Sequence, residues 1–411
     1  MSDLQTDPPA ATAAVSDHWP AVMAGFLGWT LDAFDFFLVV LCVPAIAKTY
    51  GVDTPRITFT IALTLGMRPV GAFIFGLVAD RYGRRRPLMI NLVFYSTLSI
   101  LSGLAPTYLT FVICRALFGI GMGGEWGVGA TLAMEKVPPR LRGLLSGLLQ
   151  EGYATGNLLA SAAYFFVFPR FGWRPLFVLG GLPALLALYI RFHVKESEVW
   201  QKTRHASWSH LGRGITQHWR LFLMLTLLMW MMNLSSHGTQ DMFPTLLEKD
   251  WHFGPHAKAA VNAVSMLGAI AGGVVVGLLS DRIGRRRAMV GSFICAILII
   301  PLWAYAPNIA LLVLGAFLIQ FMVQGAWGVI PAHITELSPD SVRGFLPGFA
   351  YQCGVLLAGS IAWIQSLLSR HTTYANAMAL TALTVFTAAA IVIATGRERR
   401  GIRFGEDARA A

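Results

Sequence analysis

Long apolar segments follow one another along the whole chain, and they constrain its fold more than any other feature. A helix needs roughly 20 apolar residues to cross a bilayer. Only 13% of the 411 residues are charged, whereas a soluble domain carries roughly 25%. We place spans at 19–47, 56–79, 87–105, 108–133, 143–167, 174–192, 221–247, 257–279, 288–305, 308–334, 344–368 and 373–395. The sequence therefore predicts an all-α integral membrane protein with twelve transmembrane helices.

One long polar stretch divides these spans into six and six. We therefore predict an N-terminal half at 19–192, a linker at 193–220 and a C-terminal half at 221–395, with polar tails at 1–18 and 396–411. The first tail lacks the basic and apolar regions of a cleaved signal peptide. The four cysteines fall inside apolar runs without the spacing of zinc ligands or of a disulfide framework. We interpret them as buried thiols and expect no metal and no cofactor.

Basic residues are distributed unevenly between the two sides of the predicted bundle. Of the 32 Lys and Arg residues, 23 lie on the side that carries the loop at 81–86, seven on the other side and two inside spans. Cytoplasmic loops carry the excess of Lys and Arg in membrane proteins. This side and both termini are thus predicted to be cytoplasmic. The net charge of +11 is then a topology signal, and we expect no binding to nucleic acid.

The two halves repeat each other at a constant offset of 201 residues. The stretch G-L-V-A-D-R-Y-G-R-R-R that begins at Gly76 maps onto G-L-L-S-D-R-I-G-R-R-R at Gly277. The same offset maps Trp126 onto Trp327, Glu135 onto Glu336, and Arg142-Gly143 onto Arg343-Gly344. Parallel repeats of this kind occur in transporters that hold their substrate between the halves near the bilayer midplane. We therefore expect two pseudo-symmetric six-helix halves with a site between them.

The repeated G-x-x-x-D-R-x-G-R-R-R motif resembles the signature of the major facilitator superfamily, and the resemblance implies the fold of that family. A cytoplasmic aspartate beside a basic cluster can hold helix ends together, and glycines let helices approach closely. We interpret the motif and related residues as gate or structural groups rather than as substrate ligands. They are Asp80, Arg81, Asp281, Arg282, Arg115, Glu135 and Glu336.

Few ionisable residues lie inside the predicted spans. A charge at the bilayer centre costs roughly 2.5–3.5 kcal/mol on insertion scales, so it needs a partner or a water-filled cavity. Asp32 and Asp35 share one face of the first span, and with Glu125 of the fourth they are candidate proton-coupling groups. Arg68, near the centre of the second span, is either the cation that binds a substrate anion or the partner of the first-span aspartates. Glu151, in the fifth span, receives no role.

The seventh predicted span carries the densest polar run of the chain. At roughly 100° per residue, four polar side chains fall on one face of this helix and predict a cavity wall. They are Asn233, His237, Gln240 and Asp241. His237 and Asp241 are one turn apart and can share a proton, and histidine titrates near neutral pH. The structural alternative is a neutral His237 bonded to a neighbouring helix.

Three residues of the tenth span share a second polar face. Gln320, Gln324 and Trp327 either line the cavity opposite the seventh span or pack against other helices. With Arg68 and the seventh-span residues Asn233, His237 and Gln240, they complete the predicted substrate-binding set. His237 and Asp241 also belong to the predicted proton-coupling set.

The seventh-span run N-x-x-S-H-x-T-Q-D-x-x-P-T is similar to the signature of the fungal lactate–proton permeases, which are monocarboxylate symporters. Stretches that begin at Trp29, Arg115, Arg142 and Gln324 also resemble this family: W-T-L-D-A-F-D-F-F, R-A-L-F-G, R-G-L-L-S-G and Q-G-A-W-G-V-I-P. The resemblance implies that the asparagine, histidine and aspartate of the seventh span handle substrate and proton. Sialate and aromatic-acid transporters share the D-x-F-D pattern of the first span, so substrate size stays open.

These features predict a proton-coupled symporter of small monocarboxylates, such as lactate or pyruvate, that works by alternating access. The nearest alternative is a proton symporter of larger organic acids or of sugars. A substrate sensor is more remote, because the linker is only about 28 residues long. We find no nucleophile elbow, phosphate loop or metal-ligand cluster and therefore predict no enzyme activity. Short loops suit a bacterial inner membrane, and the family resemblance implies a monomer.

Overall fold

The computed structural model describes residues 18–202 and 208–405, and all regular structure in these residues is helical. The residues predicted as the outer parts of both tails, 1–17 and 406–411, lie outside the described part. The first half comprises α1 (Trp19–Tyr50), α2 (Thr54–Tyr82), α3 (Arg85–Leu104), α4 (Tyr108–Lys136), α5 (Arg142–Gln150), α6 (Gly152–Phe171), α7 (Arg174–Leu179) and α8 (Pro183–His193).

A short connecting segment and a second set of helices follow. The connection contains α9 (Glu198–Lys202) and α10 (Trp208–Gln217). The second half comprises α11 (Trp219–Gln240), α12 (Phe243–Lys249), α13 (Pro255–Ile283), α14 (Arg285–Ala304), α15 (Ile309–Leu337), α16 (Leu346–Ala358), α17 (Ile361–Leu368) and α18 (Tyr374–Thr395).

The prediction of twelve membrane-spanning helices is confirmed, although four of them are interrupted. Eleven spans within the described residues are long and apolar enough to cross a membrane. The remaining one is the pair α5 and α6, which is divided at Glu151. The other interrupted spans are the pairs α7 with α8, α11 with α12, and α16 with α17. Pro183 and Pro244 lie in the first turn of α8 and α12, the second helices of two interrupted spans. The N–H that proline lacks would have no partner within the helix at this position.

The repeat seen in the sequence reappears in the helix boundaries. Helices α2 and α13 begin and end 201 residues apart, and so do α4 and α15. Asn308 caps α15 through a side-chain bond to the backbone of Leu311, as Thr107 caps α4 through Thr110. The same local signals therefore start equivalent helices in both halves.

Hydrogen bonds between the halves concentrate at the basic end, the side that carries residues 81–86 and 282–287. Ser146 donates to the carbonyl of Gly328 at 2.7 Å and accepts from the backbone of Ala332 at 3.0 Å. Gly127 and Gly348 come into backbone contact in the same region, and a side chain on either would collide with the other. Glycines thus let α4 and α16 pack closely, and the halves are joined at this end.

The interpretation of all four cysteines as buried thiols is wrong for two of them. Cys42 and Cys114 are buried, but Cys295 is exposed and Cys353 is half-buried. Cys295 lies on α14 with Ile294 and Leu298, which are also exposed. An apolar run predicts immersion in the membrane, and lipid-facing residues are immersed without being packed inside the protein.

Candidate substrate cavity

A cavity of about 70 Å³, with polar, aromatic and aliphatic side chains in its lining, lies between the two halves. The first half supplies Trp29, Phe36, Leu65, Arg68, Gln150 and Tyr153 to its lining. The second half supplies Asn233, Ser236, His237, Gln240, Gln324, Trp327, Tyr351 and Val355. Both predicted polar faces, on α11 and α15, thus contribute to one wall.

Aromatic side chains border the cavity beside the region where the halves join. Tyr351 packs against Trp126 with ring centres 4.4 Å apart, and against Trp327 at 5.8 Å. Trp29 stacks on Tyr153 at 5.5 Å. Trp126 directly precedes Gly127, and Tyr351 follows Gly348 by three residues, so this aromatic cluster lies next to the glycine contact. Tyr351 received no role from the sequence, and a lone tyrosine in an apolar span offers no pattern that would have found it.

Arg68 extends from α2 to the cavity without forming a salt bridge in the described part of the chain. Arg68 is 4% exposed, and its nitrogens Nε and Nη2 are buried with no hydrogen-bond partner in residues 18–202 and 208–405. Its guanidinium carbon lies 5.9 Å from the ring centre of Tyr351. The alternative in which Arg68 forms an ion pair with a first-span aspartate is therefore not observed. The group is available to an anion.

Three of the four residues predicted for the polar face of α11, Asn233, His237 and Gln240, line the cavity, whereas Asp241, which directly follows the helix, is not in the lining. His237 Nδ1 and Asp241 Oδ1 are 3.2 Å apart, and each side chain is 39% exposed. Asn233 lines the cavity and donates to the carbonyl of Met229 at 2.7 Å, which orients its amide. A histidine one turn from an aspartate, both reachable by water, can accept and pass on a proton.

The glutamines of α15 take two different positions. Gln324 lines the cavity and donates to Ser236 at 3.0 Å. Gln320 is not among the lining residues; it accepts from Gln240 at 2.9 Å and donates to Thr239 at 3.1 Å. Gln320 therefore orients the Gln240 side chain in this conformation, and its contact with substrate stays a prediction. Trp327 donates to the carbonyl of Met232 at 3.1 Å and so fixes α15 against α11.

Two carboxylates of the first half are buried without hydrogen-bond partners in the described residues. Asp32 is 0% exposed and Glu125 is 1% exposed, and all four of their carboxylate oxygens lack a partner. Each is close enough to Arg68 for their charges to attract. Leaving a carboxylate buried and unpaired is costly, so these groups can change protonation state when their surroundings change.

Asp35 has a different environment from Asp32, although both were predicted to couple protons. Its Oδ2 accepts from Arg115 Nη1 at 2.8 Å, and the hydroxyl of Ser99 donates to its other oxygen. Asp35 and Arg115 are both almost fully buried. Asp35 can accept a proton only when this ion pair opens, so its part in coupling stays a prediction, while Arg115 has the structural contact expected of it.

The gate residues join the halves through an arrangement that is repeated once. Asp80, at the end of α2, accepts from the backbone of Gly344 at 2.7 Å and of Phe345 at 3.0 Å, just before α16. Asp281, at the end of α13, accepts from Gly143 at 2.9 Å and Leu144 at 3.0 Å, in the first turn of α5. Each aspartate thus supplies the partner that free N–H groups at a helix start require.

The arginines that pair with these aspartates, Arg84 and Arg285, received no role from the sequence. Arg84 binds Asp80 at 2.6 Å and Glu135 at 3.2 Å, whereas the guanidinium of Arg81 lies over the rings of Tyr82 and Trp208. Burial by itself would lower the pKa of Arg84, but the two carboxylates hold that pKa above its ordinary value.

The second half repeats this arrangement. Arg285, not Arg282, binds Asp281 at 2.7 Å and Glu336 at 3.0 Å, and Arg142 of the first half also binds Glu336 at 3.0 Å. An i,i+4 spacing from each aspartate could have identified Arg84 and Arg285, because residues one turn apart meet on a helix-like surface.

Twelve membrane-spanning helices in two repeated halves, with a cavity between them that carries polar groups from both halves, define a multi-pass membrane transporter. Residues 21–206 match the family described as "Sugar (and other) transporter". Residues 241–409 match the family described as "Major Facilitator Superfamily". The chain belongs to the major facilitator superfamily.

Individual relatives cover most of the chain. It is 30% identical to a probable 4-methylmuconolactone transporter of Cupriavidus pinatubonensis, over 92% of this chain and 90% of that protein. It is 28% identical to a carboxylic acid transporter protein homolog of Saccharomyces cerevisiae, over 86% of this chain and 61% of that longer protein. The solved proton:xylose symporter XylE has the same fold, with a TM-score of 0.77 at 18% identity over 96% of this chain and 99% of XylE. These relatives are transporters and not enzymes.

Proposed function

We propose that this protein is a proton-coupled symporter of small monocarboxylates, such as lactate or pyruvate. The observation that carries the proposal is the unpaired Arg68 on the wall of a small cavity. A carboxylate is the anion whose geometry matches a guanidinium group, to which it can accept two parallel hydrogen bonds. The facing polar groups of α11 and α15 supply further donors to such an anion.

The size of the cavity favours a small substrate. Pockets that bind drug-sized ligands have volumes of about 300–1,000 Å³, whereas this cavity has about 70 Å³. The similarity to the yeast carboxylic acid transporter homolog supports an acid as substrate. The second candidate is a larger organic acid, which the similarity to the 4-methylmuconolactone transporter favours.

Proton binding and anion binding can reinforce each other through Arg68. When Asp32 is ionised, its negative charge offsets the charge of Arg68 and weakens the attraction for a substrate anion. When Asp32 is protonated, Arg68 remains uncompensated and attracts a carboxylate more strongly. His237 and Asp241 offer the first site for a proton that arrives from the aqueous side of the cavity. The loaded cavity is then less costly to close than one that holds a bare anion.

The proposed direction of transport rests on two features, the concentration of basic residues at one end of the protein and the closure of the halves at that same end. We assign the basic end to the cytoplasm, because Lys and Arg are concentrated there. The present conformation, joined at that end, then admits proton and substrate from outside. Parting of the halves at the basic end delivers both to the cytoplasm. We further propose that the protein acts as a monomer in a bacterial inner membrane.

The proposal is tested by uptake of labelled L-lactate into proteoliposomes with and without an inward proton gradient. We expect accumulation that depends on the gradient and collapses with a protonophore. Competition by excess benzoate or sialate separates the two candidates, because a transporter of larger acids would be inhibited by them more strongly than by unlabelled lactate. Absence of lactate uptake by folded protein would rule out the small-monocarboxylate proposal.

A further inference from the structure

Like Asp32 and Glu125, Glu151 is a buried acid without an ion pair in the described residues. It lies at the break between α5 and α6, and the cycle proposed above does not explain it. It is 4% exposed, and its Oε1 has no hydrogen-bond partner in the described chain. Its neighbours Gln150 and Tyr153 line the cavity. Glu151 itself is absent from that lining, so its side chain points to another surface.

That surface belongs to the opposite half of the protein. The carboxylate of Glu151 lies against Gly273 of α13, and a methyl group on Gly273 would collide with its Oε1. One turn earlier, Gly147 contacts the carbonyl of the same Gly273. Gly328 of α15 also packs against Gly273. The acid is therefore enclosed where α5 and α13 meet, inside the contact that closes the basic end.

No cation compensates this acid within the described residues. The acidic, basic and histidine side chains on the helices packed around it are Asp32, Asp35 and Lys48 of α1, Arg115, Glu125, Glu135 and Lys136 of α4, His256, Lys258, Asp281 and Arg282 of α13, and His333 and Glu336 of α15. Its own span adds Arg142 of α5 and Arg170 of α6. None of them forms an ion pair or hydrogen bond with Glu151 there. An ionised carboxylate buried without a partner is strongly disfavoured, so Glu151 is a neutral acid while the basic end is closed.

The repeat supplies a comparison for this position. The offset of 201 residues places Gln352 of α16 where the first half has Glu151. Gln352 is 0% exposed, and neither the nitrogen nor the oxygen of its amide has a hydrogen-bond partner among the residues that the structure describes. An uncharged polar side chain is thus accommodated at the equivalent place in the closed structure. The two positions differ in that only the glutamate can become charged.

We propose that Glu151 is a proton-releasing latch that couples opening of the basic end to proton discharge, an inference that rests on the proposed proton-coupled function. While α5 and α13 are in contact, the carboxyl keeps its proton. When they separate, water reaches the group, its O–H bond breaks, and the proton passes to water on the basic side. The resulting carboxylate opposes renewed contact with Gly273 until it is protonated again.

The test measures opening of the basic end directly. Arg140 and Ser341, which lie in repeat-related exposed loops of the two halves, are replaced by cysteine in a background without native cysteines. Spin labels attached there report the distance between the halves by pulsed electron paramagnetic resonance, in lipid and without substrate. We expect the wild-type distances to shift toward a longer, open population as pH rises.

Two substitutions decide whether Glu151 causes this shift. Glu151→Gln copies the residue found at the repeat-related position, and we expect the shift with pH to be lost, with short distances at every pH. Glu151→Asp retains a titrating carboxyl, and we expect the shift to persist. A Glu151→Gln protein that opens with pH as the wild type does, or a wild type that does not respond to pH, overturns the proposal. The distance measurement uses no substrate, so it stays valid even if lactate uptake fails. A failure of the latch proposal likewise does not affect the uptake test of the proposed function.

Discussion

At the scale of single residues, the cavity brings Arg68, which has no salt bridge within the described chain, near several groups that can exchange protons. Arg68 comes from the first half, and His237 with Asp241 comes from the second. Substrate attraction and proton entry are thus assigned to different helices. Substitutions can therefore separate binding from coupling.

Replacement of Arg68 by alanine should weaken carboxylate binding. A hydrogen bond to a charged group contributes about 1.5–3 kcal/mol, so we expect affinity to fall by about tenfold to a hundredfold. Binding of the labelled acid to purified protein measures the change. Arg68→Lys keeps the charge but loses the planar donor pair, and it should bind with intermediate affinity. Unchanged affinity in Arg68→Ala would reassign the residue to a structural role.

Replacement of Asp241 by asparagine should separate accumulation from exchange. The amide keeps a polar contact with His237 but cannot hold a proton, so gradient-driven accumulation should fall toward equilibrium while exchange of substrate across the membrane continues. Paired accumulation and counterflow assays measure the two activities. Glu248→Gln is a matched control, since this exposed carboxylate lies in the same span and pairs with Lys258. Accumulation at the wild-type level in Asp241→Asn would contradict the coupling role.

The sequence predicted the lining of α11 better than that of α15. Spacing along one helix determines which side chains share a face, and Asn233, His237 and Gln240 accordingly reach the cavity. Spacing along one helix does not determine the distance between that face and a neighbouring helix. Gln320 lies on the predicted face of α15, but Gln240 separates it from the cavity. The two side chains are hydrogen-bonded because α11 and α15 approach closely there. Tyr351 enters the site only through the packing of the halves.

At the scale of helices, residues at the C-terminal ends of helices in one half stabilise the N-terminal ends of helices in the other half. Asp80 at the end of α2 bonds to the backbone before α16, and Asp281 at the end of α13 bonds to the start of α5. The N-terminus of a helix favours negative charge. The motif predicted a latch at these positions, but the partner of each aspartate could not be predicted, since it lies about 140 to 260 residues away in sequence.

Replacement of Asp80 by asparagine should therefore loosen the basic end. Breaking a buried ion pair costs about 3–5 kcal/mol, which is sufficient to shift a balanced equilibrium strongly toward the open state. The spin-label pair at Arg140 and Ser341 should then show longer distances at all pH values. Asp281→Asn should act in the same direction because the arrangement is repeated.

Asp53→Asn provides the control for this effect. Asp53 pairs with Arg56 at 3.4 Å, but both side chains are about two-thirds exposed. Exposed pairs contribute about 0–1 kcal/mol, so the distances should match those of the wild type. Distances in Asp80→Asn that also match the wild type would show that the latch does not hold the closed state.

The helix breaks show where sequence-based prediction of the fold reached its limit. Spans were predicted from apolar length, and every one of them is present among the described residues. The interruption at Glu151 was not predicted, because the flanking residues are compatible with a continuous helix. It arises where α5 packs on the opposite half and α6 packs on α1, so contacts distant in sequence determine it.

At the scale of the whole molecule, the contact between α5 and α13 determines which end of the cavity is open. Gly147 on α5 contacts the carbonyl of Gly273, so a leucine at residue 147 cannot fit while the basic end is closed. Overpacking of a tight contact costs about 1–3 kcal/mol. We therefore expect Gly147→Leu to shift the equilibrium about 5- to 150-fold toward the conformation open at the basic end.

Access to the cavity from the opposite end measures this shift. Ser236 lines the cavity, and a cysteine placed there in a background without native cysteines reports access of an impermeant thiol reagent. The rate of labelling from the side opposite the basic end should fall in Gly147→Leu by about the same factor as the population of that state. Gly291→Leu is the matched control, because a side chain at Gly291 meets no atom within 4 Å. Equal labelling rates in both variants would mean that closure at the basic end and opening at the other end are not coupled, and alternating access by these two halves would have to be abandoned.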